Sequence, residues 1–410
     1  MPQAKIIFVN RYFHPDHSAS SQILSDLAFY LADEGSRVRV IASRQIYDEP
    51  AVVLPARETV QGVEIVRVRT THFGRHSSLG RIADYLSFYF AGAFALLRHA
   101  KRGDIVVAKT DPPLLSVLAG CIARLRGFKI VNWLQDLYPE VAQELGVAGL
   151  NGLIGRWLVG LRNRSLRRAA MNVVIDGDMA ARVRAAGVNI DRLAILRNWT
   201  EDEQIAPLDP DANPLRMAWG LEGKFVVAYS GNLGRAHDFE TVLAAAETLR
   251  DRRDIVFLFI GGGTGLARLS DQVGKRALAN FRFHPYQPRE TLALSLGVAD
   301  LHWLSLKPEL RGLIFPSKFY GIAAAGRPIL FIGAPEGELP DLIAANECGV
   351  AVRPGRGEEL ARAIVDFCED RERCRRYGAN ARRMLETRFT KARALEAWKA
   401  ILQRVANASS

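Results

Sequence analysis

Short apolar runs alternate with amphipathic stretches along most of the chain. The runs at 6–9 and 225–229 are apolar, β-branched or aromatic throughout, which is typical of strands buried on both faces of a parallel sheet. Between the runs, apolar residues recur at three- and four-residue spacing, which predicts helices such as 21–32, 85–97 and 114–125. The predicted strands are 6–9, 38–42, 63–68, 105–108, 128–134, 171–175, 225–229, 255–260, 301–304, 329–332 and 349–352.

The alternation lapses at 198–214, which is polar and contains three prolines, as expected of a linker. A chain of 410 residues exceeds what one hydrophobic core usually supports. We therefore expect an N-terminal domain at 1–197, the linker at 198–214 and a second domain at 215–388. A final helix within 389–410 is expected to pack back toward the N-terminal domain. The predicted fold class is α/β, with two doubly wound sheets facing a central cleft and ligands at the carboxyl ends of the strands.

The run at 225–229 leads into a glycine-rich loop followed by a helical pattern. Glycines let the backbone approach an anion, and N–H groups of a first helical turn point toward it. Arg235 adds a guanidinium group suited to phosphate oxygens. This arrangement predicts a phosphate cradle, although a tight turn with a solvated Arg235 gives the same pattern. The loop residues are Ser230, Gly231, Asn232, Leu233, Gly234 and Arg235.

A second glycine-rich loop, 261–265, follows the run at 255–260 and raises the alternative of a dinucleotide site. Such a site normally carries an acidic residue about twenty positions further on, and this chain has FRFHPY there instead. The pattern therefore disfavours NAD or FAD.

A third informative stretch is 310–332. Ser317 is the expected N-cap of a short helix that Gly326 ends. Lys318 falls in the first turn, where a cation opposes the helix dipole, so a bound anion would explain it better than helix stability does.

The net charge of +11 indicates an anionic partner, which leaves nucleic acid, anionic lipid or a phosphorylated substrate. The stretch 154–168 has the pattern of a basic amphipathic helix on an anionic membrane surface, or of a helix with a solvated basic face. The apolar stretch 85–97 is shorter than the roughly eighteen residues that span a bilayer, so we expect a buried or interfacial helix. Four cysteines without a CxxC pair favour a reducing compartment, and no signal peptide is visible; a cytoplasmic location is expected.

Taken together, the motifs resemble those of glycosyltransferase family 4. In the second half these are SGNLGRAHDF, IGGGTG, HPYQPRETLALSLGVADL and PSKFYGIAAAGRPIL. In the first half, FHPDHSASSQILSDLAFYLADEGSRVRVI, KTDPPL, NWLQDLYPE and LRNW are similar to amino-sugar and deoxysugar transferases of bacterial polysaccharide assembly. The resemblance implies the GT-B fold of two facing Rossmann-like domains, with the donor held mostly by the second. It also implies a retaining enzyme of the hexosyltransferase type, with no catalytic metal and no cofactor besides a UDP-, GDP- or dTDP-sugar donor.

The resemblance also implies which residues meet the donor. Many family members hold the ribose with a glutamate where this chain has Gly321, and Glu309 is the nearest acid to an earlier family glutamate whose position is Leu313. Arg235, the loop amides and Lys318 are expected to stabilise the departing diphosphate. The expected donor-site residues are Ser230, Gly231, Asn232, Leu233, Gly234, Arg235, His237, Gly262, Gly263, Tyr286, Glu309, Phe315, Ser317 and Lys318.

On the acceptor side, Asp136 and Glu140 follow the strand 128–134, where either is placed to position or deprotonate an acceptor hydroxyl. Asp136 as a helix N-cap near Pro139 is the alternative. The first strand-to-helix loop adds His14, Asp16, Ser20 and Ser21. Aspartate pairs at 176/178 and 209/211 fit a helix cap and a linker better than a metal site.

These observations predict a cytoplasmic enzyme, peripheral at the inner face of the cytoplasmic membrane, that transfers a sugar to a lipid-linked or saccharide acceptor. A GT-B-like sugar-nucleotide epimerase would share the phosphate loops, and an NAD-dependent enzyme is a weaker alternative. A nucleic-acid partner is not expected, because the basic residues are not interleaved with a DNA- or RNA-binding motif.

Overall fold

The computed structural model describes residues 4–47, 49, 52–74, 78–147, 149–199 and 205–408. The chain divides into two compact units. Unit 1 comprises Met1–Arg197, Gly312–Ile314 and Ala394–Ser410, and unit 2 comprises Asn198–Arg311 and Phe315–Arg393. Each unit is built around a largely or wholly parallel sheet, as the alternating pattern predicts.

In the described part of unit 1 the sheet has eight strands in the order β3-β4-β2-β1-β5-β6-β7-β8. Neighbouring strands are parallel except for β3 and β4, which are antiparallel. The strands are β1 (Ile6–Val9), β2 (Val38–Ser43), β3 (Arg57–Val60), β4 (Val63–Val68), β5 (Ile105–Ala108), β6 (Lys129–Leu134), β7 (Met171–Val174) and β8 (Leu193–Ile195). The helices are α1 (Ala19–Asp33), α2 (Ser78–His99), α3 (Leu115–Arg126), α4 (Glu140–Glu144), α5 (Leu153–Arg168) and α6 (Gly177–Ala185).

Unit 2 contains a parallel sheet whose six described strands follow the order β11-β10-β9-β12-β13-β14. Its strands are β9 (Phe225–Asn232), β10 (Ile255–Gly262), β11 (Phe281–His284), β12 (Leu301–Ser305), β13 (Ile329–Ile332) and β14 (Gly349–Val352). Its helices are α7 (Pro214–Ala218), α8 (Glu240–Thr248), α9 (Leu266–Lys275), α10 (Leu292–Gly297), α11 (Lys318–Ala324), α12 (Glu338–Ala345), α13 (Gly357–Glu369) and α14 (Arg371–Arg388). This strand order is the doubly wound Rossmann order, which reverses direction at β9.

Three strands escape the sequence prediction. The edge strands β3, β8 and β11 are short and expose part of their side chains, so none of them reads as a continuous apolar run. Every predicted strand is present. β9 and β10 extend past their predicted ends into the glycine loops, to Asn232 and Gly262.

The predicted linker lies partly outside the described residues, at 200–204. Its described part, 205–214, packs within unit 2, where Arg382 Nη1 donates to Ile205 O at 2.7 Å. Asn213 caps α7 by accepting from Leu215 N at 3.0 Å. These contacts make 205–214 part of the folded unit rather than a free connection.

The last helix, α15 (Lys391–Asn407), belongs to unit 1 over most of its length. Its Trp398 ring lies 4.5 Å from the Trp133 ring, measured between centroids, and both side chains are fully buried. Lys129 Nζ donates to Val405 O at 2.9 Å and to Ala408 O at 2.6 Å near the end of the helix. An aromatic contact and a C-terminal cap therefore fix α15 on β6.

Candidate functional site

In unit 2 the loops after β9 and β12 meet where the strand order reverses. Parallel α/β sheets bind ligands at such switch points, beyond the carboxyl ends of the strands. His237 Nδ1 lies 2.7 Å from Ser305 O, Asp238 N donates to Ser305 Oγ at 3.1 Å, and Lys307 N donates to Ala236 O at 2.9 Å. The end of β12 therefore holds the loop that follows β9 in a fixed conformation.

The glycines of the two loops allow a close backbone approach that larger residues would block. Gly263 has φ +117°, and a Cβ there would lie 2.5 Å from Asn232 Oδ1 and 2.6 Å from Leu233 O. Leu233 N donates to Gly262 O at 2.8 Å, and Gly265 N donates to Leu233 O at 2.9 Å. The second glycine loop therefore supports the first by direct packing, which is a structural reason for glycine at these positions.

Lys318 lies against the first glycine loop. A Cβ on Gly231, whose φ is +128°, would lie 2.7 Å from Lys318 Cε, so only glycine leaves room for the lysine stem. Lys318 Nζ is 5.1 Å from the centroid of the Tyr229 ring. Burial lowers the pKa of Lys318 to about 8, and among the described residues no carboxylate offsets this effect. A partly buried cation without an anionic partner is a candidate for binding an anionic ligand.

His237 contributes a neutral group beside this lysine. Burial and, to a smaller extent, the charge of Lys318 lower the pKa of His237 to about 4, so the imidazole is neutral at pH 7. A carbonyl oxygen only accepts, so Nδ1 carries the proton in the bond to Ser305 O. Nε2 then has a lone pair that can accept a hydrogen bond from a ligand hydroxyl.

The structure places most of the remaining predicted donor residues around the same switch point. The Tyr286 ring covers Gly262, since a Cβ on Gly262 would lie 2.8 Å from Tyr286 Cε2. Tyr286 itself is 58% exposed, which leaves its ring accessible to a planar ligand. Ser230 and Gly234 are partly exposed, and Asn232, Arg235, Ser317 and Glu309 are exposed at the ends of their strands or loops.

One expectation for this site was wrong, that of an anion at the start of α8. α8 begins only at Glu240, and the Asp238 carboxylate accepts from Thr241 N at 3.2 Å, so a protein carboxylate already occupies the predicted anion position at this helix start. Ser317 is the N-cap residue of α11, as predicted, although its side chain makes no capping hydrogen bond. Phe315 packs in an aromatic cluster, with its ring centroid 5.9 Å from that of Phe319 and 5.6 Å from that of Tyr320, and its expected contact with the donor stays a prediction.

A second polar group lies at the switch point of unit 1, between β1 and β5. Lys109, which directly follows β5, is 2% exposed; its Nζ donates to Ser20 O at 2.8 Å and lies 4.1 Å from the centroid of the Trp133 ring. Burial lowers the pKa of Lys109 to about 7, against the opposing charges of Asp111 and Asp136. Burial raises the pKa of Asp136 to about 6, and Asp111 raises it further while Lys109 lowers it. Lys109 was not among the predicted site residues, because a lysine at the end of an apolar run is usually solvated.

The other predicted acceptor-side residues have structural partners in unit 1. Asp16 is buried and accepts from Ser18 N at 2.8 Å and Tyr47 N at 2.5 Å, which organises the first loop. Glu140 is paired with the buried Arg162 of α5. The Ser20 carbonyl accepts from Lys109 Nζ, and the His14 carbonyl accepts from Arg67 at 2.7 Å. Ser21 is fully buried. Their roles toward an acceptor stay predictions.

The sequence left open whether Asp136, Asp176 and Asp209 cap helices or serve a site. Asp136 is not the N-cap of α4, since Pro139 occupies that position. Asp176 does cap α6, accepting from Met179 N at 2.6 Å, and Asp209 accepts from Asp211 N at 3.1 Å. Throughout the described ranges, no group of three or more His, Cys, Asp or Glu side chains is arranged to hold a metal ion.

Comparison with known proteins assigns both halves of the chain. The family described as glycosyl transferases group 1 matches residues 213–384, and the family described as glycosyl transferase 4-like domain matches residues 19–199. Together the two matches cover most of the chain.

The chain is 27% identical over 370 residues to WbjE of Pseudomonas aeruginosa, described as a probable glycosyltransferase, and the match covers 89% of this chain and 90% of WbjE. It is 24% identical over 371 residues to WcaI of Escherichia coli (strain K12), covering 88% and 91% of the two chains. WcaI is provisionally named as a glycosyl transferase of colanic acid biosynthesis. The crystal structure of Anabaena HepE in complex with UDP-glucose matches with a TM-score of 0.72 at 16% identity, covering 98% of this chain and 99% of HepE.

A doubly wound sheet in each unit, and a switch-point site in the second that is suited to an anion, define an α/β enzyme of the GT-B class. The chain belongs to glycosyltransferase family 4, and it is a glycosyltransferase.

Proposed function

We propose that this enzyme is a retaining, metal-independent transferase that moves a sugar from a nucleoside diphosphate sugar to a lipid-linked or saccharide acceptor in bacterial cell-surface polysaccharide biosynthesis. The observation that carries the proposal is Lys318, a partly buried cation without a carboxylate partner among the described residues, packed on Gly231 at the switch point of unit 2. The name of WcaI and the UDP-glucose bound by HepE support the pathway and the donor class.

The reaction requires the departure of a nucleoside diphosphate, whose bridging oxygen gains negative charge as the sugar leaves. Lys318 and the exposed Arg235 are the cations available near the glycine loop, and a well-placed donor lowers such a barrier by about 3 kcal/mol. Two cationic side chains supply the charge that a divalent ion would otherwise supply, which is the basis for proposing metal independence. Retention of configuration rests on the family resemblance.

The neutral His237 has a different role in this proposal. Its Nε2 accepts from a hydroxyl of the donor sugar while Nδ1 stays bonded to Ser305 O. A positive imidazole would repel Lys318, and its low pKa prevents this at neutral pH. His237 therefore orients the sugar and leaves the diphosphate to the cations.

Asp136 is the residue we assign to the acceptor. A carboxylate that titrates at about 6 is ionised at pH 7 yet basic enough to share the proton of an attacking hydroxyl. Lys109, whose pKa of about 7 leaves it partly protonated at pH 7, is close enough to Asp136 for its charge to lower the pKa of that carboxyl. We expect no resident cofactor; the donor is a UDP-, GDP- or dTDP-sugar.

We further propose that the enzyme is cytoplasmic and works as a peripheral protein at the inner face of the cytoplasmic membrane. A net charge of +11 and the exposed arginines of α5 support attraction to anionic lipid. Among the described helices, none has the combination of length and apolar composition that crossing a membrane requires.

The test is a transfer assay with labelled UDP-, GDP- and dTDP-sugars and a bacterial lipid extract as acceptor, with and without EDTA. We expect label in the lipid fraction, and nucleoside diphosphate released only when acceptor is present. A changed nucleotide sugar formed without acceptor would identify the epimerase alternative instead. Stabilisation by NAD, but by no nucleoside diphosphate, would favour the dehydrogenase alternative.

A further inference from the structure

Helix α2 is apolar on both of its faces. Its inward side places Phe88, Ala95 and Leu96 in the core of unit 1. Its outward side carries six large apolar side chains that recur every three or four residues and are between 39% and 78% exposed. This apolar stripe consists of Leu79, Ile82, Leu86, Phe90, Phe94 and Leu97. A helix that is apolar all round is normally buried, so the exposed stripe requires another explanation.

The stripe continues onto neighbouring helices. α3 packs against both α2 and α5, so the three helices lie side by side on unit 1. Leu125 of α3 is 78% exposed, and α5 exposes Leu153 at 77%, Ile154 at 62% and Trp157 at 63%. We call the outward sides of α2, α3 and α5 the outer face of unit 1.

The charge on this face has one sign. The three helices contain nine arginines, eight of them exposed, and a single acidic residue, Asp84. Asp84 is 1% exposed and is paired with Arg11 at 3.3 Å, so it contributes no negative charge to the surface. A groove of about 960 Å³, which α3 and α5 help to line, contains three of these arginines, Arg124, Arg164 and Arg168, and adds Arg192, Arg404 and Asp191. That volume is sufficient for a phosphate-bearing head group.

Exposed apolar side chains among many arginines, with Asp191 as the one acidic residue lining the groove, match an anionic bilayer better than they match a protein. A second copy of the chain docked on the same face by two-fold symmetry would bring arginines against arginines. A bilayer offers acyl chains to the stripe and phosphates to the arginines at the same time.

We propose that the outer face of unit 1 docks on an anionic lipid bilayer, with the apolar stripe inserted at the acyl boundary and the surrounding arginines on lipid phosphates. The inference rests on the proposed function in one respect, that a lipid-linked acceptor brings the enzyme to a membrane. It places the membrane contact on α2. The sequence pattern alone left open whether this helix is buried or interfacial.

The experiment measures binding of the full-length protein to sedimenting vesicles of phosphatidylglycerol and phosphatidylcholine, or of phosphatidylcholine alone. Phe90→Glu/Phe94→Glu tests the stripe, and Arg164→Glu/Arg168→Glu tests the charge. Met217→Glu, at a 70% exposed apolar residue of unit 2, is the matched control. We expect the wild type and the control to bind the anionic vesicles and to lose binding in about 0.5 M NaCl. Each double variant should bind at least roughly tenfold more weakly.

Equal binding to neutral vesicles, or unchanged binding by the Phe90/Phe94 variant, would overturn the inference. So would dimerisation in the absence of lipid that Phe90→Glu/Phe94→Glu abolishes, because the face would then be covered by a second copy. Thermal shifts with nucleoside diphosphates separate the two proposals. Intact shifts without vesicle binding refute only the docking surface, whereas vesicle binding without any nucleotide shift refutes only the proposed function.

Discussion

Replacing Lys318 by methionine should stabilise the free protein and weaken nucleotide binding at once. Methionine keeps an unbranched stem against Gly231 and removes only the charge. Burial lowers the pKa of Lys318 from 10.5 to about 8 in the folded protein. The protonated lysine therefore destabilises the folded state at pH 7. Most active-site substitutions that abolish binding leave stability unchanged or lower it, which makes this combination diagnostic.

The magnitude follows from the pKa shift. At about 1.4 kcal/mol per pKa unit, lowering the pKa from 10.5 to about 8 corresponds to about 3 kcal/mol. The cation–π contact of Lys318 with Tyr229, at 5.1 Å, offsets about 1 kcal/mol of this destabilisation. Lys318→Met should therefore raise the free energy of unfolding by about 2 kcal/mol and the unfolding midpoint by roughly 4 to 8 °C. Loss of a charged hydrogen bond to phosphate should weaken nucleotide binding by roughly 10- to 100-fold.

The pH dependence gives an internal check on this explanation. The pKa of Lys318 is lower in the folded than in the unfolded chain, so the unfolded chain holds more protons between about pH 8 and 10.5. Stability of the wild type relative to Lys318→Met must then rise with pH across that window. The assay is thermal unfolding of both proteins from pH 7 to 10.5, together with nucleotide titrations at pH 7. The control is Lys275→Met, at a 66% exposed side chain paired with Asp271 on α9, which should change stability by less than about 0.5 kcal/mol. A destabilised Lys318→Met protein, or one that binds nucleotide as the wild type does, would refute the reasoning.

Three further predictions concern the two switch points. Arg235→Ala should lower the transfer rate roughly 10- to 100-fold in a folded protein, measured with labelled donor, and full turnover would remove Arg235 from the assigned role. Gly263→Ala should destabilise the protein by about 2 to 3 kcal/mol in urea unfolding, because its φ is +117° and Asn232 Oδ1 lies 2.5 Å from the new Cβ. Gly274→Ala, with nothing within 4 Å of the new Cβ, is its control, and equal effects would contradict the packing argument. The wild-type transfer rate should rise through pH 6 as the Asp136 carboxylate ionises, whereas Asp136→Asn should be at least about 100-fold slower without that rise; an unaltered pH profile would rule out Asp136 as the base.

Sequence patterns predicted the central strands because those strands are buried on both faces and read as uninterrupted apolar runs. Residues 105–108 and 329–332 are strands with the predicted bounds. The edge strand β11, FRFH, has one buried position followed by exposed and half-buried ones, and four such residues are too few to distinguish a strand from a loop. Burial on both faces of the sheet, rather than the β-propensity of single residues, made these strands identifiable from the sequence.

One candidate donor-site residue could be identified from the sequence because its local chemistry is unusual. A lysine in the first turn of a helix opposes the dipole, and that conflict singled out Lys318 before its contact with Gly231 was known. Glu140 shows the opposite case. Its partner Arg162 lies 22 residues away, so nothing local distinguishes a structural ion pair from a catalytic carboxylate.

The sequence did not identify Lys109 and left 85–97 as a buried or interfacial helix for a common reason, that burial depends on tertiary packing. Lys109 carries a charge that normally reaches solvent, yet it is 2% exposed against Trp133 and Ser20. Phe90 and Phe94 lie in an apolar stretch that fits a buried or an interfacial helix, and they are 76% and 68% exposed. A one-dimensional apolar pattern shows which residues prefer burial, and only the neighbouring elements decide which of them are covered.

The central claim is that the switch point of unit 2 binds a nucleoside diphosphate without a metal ion. The most direct measurement is a thermal-shift series with UDP, GDP, dTDP and NAD, each with and without EDTA, since a ligand that binds the native state raises the unfolding midpoint. We predict selective stabilisation by one nucleoside diphosphate, unchanged by EDTA. No shift with any of the diphosphates, or a shift with NAD alone, would contradict the assignment of the glycine loops and Lys318.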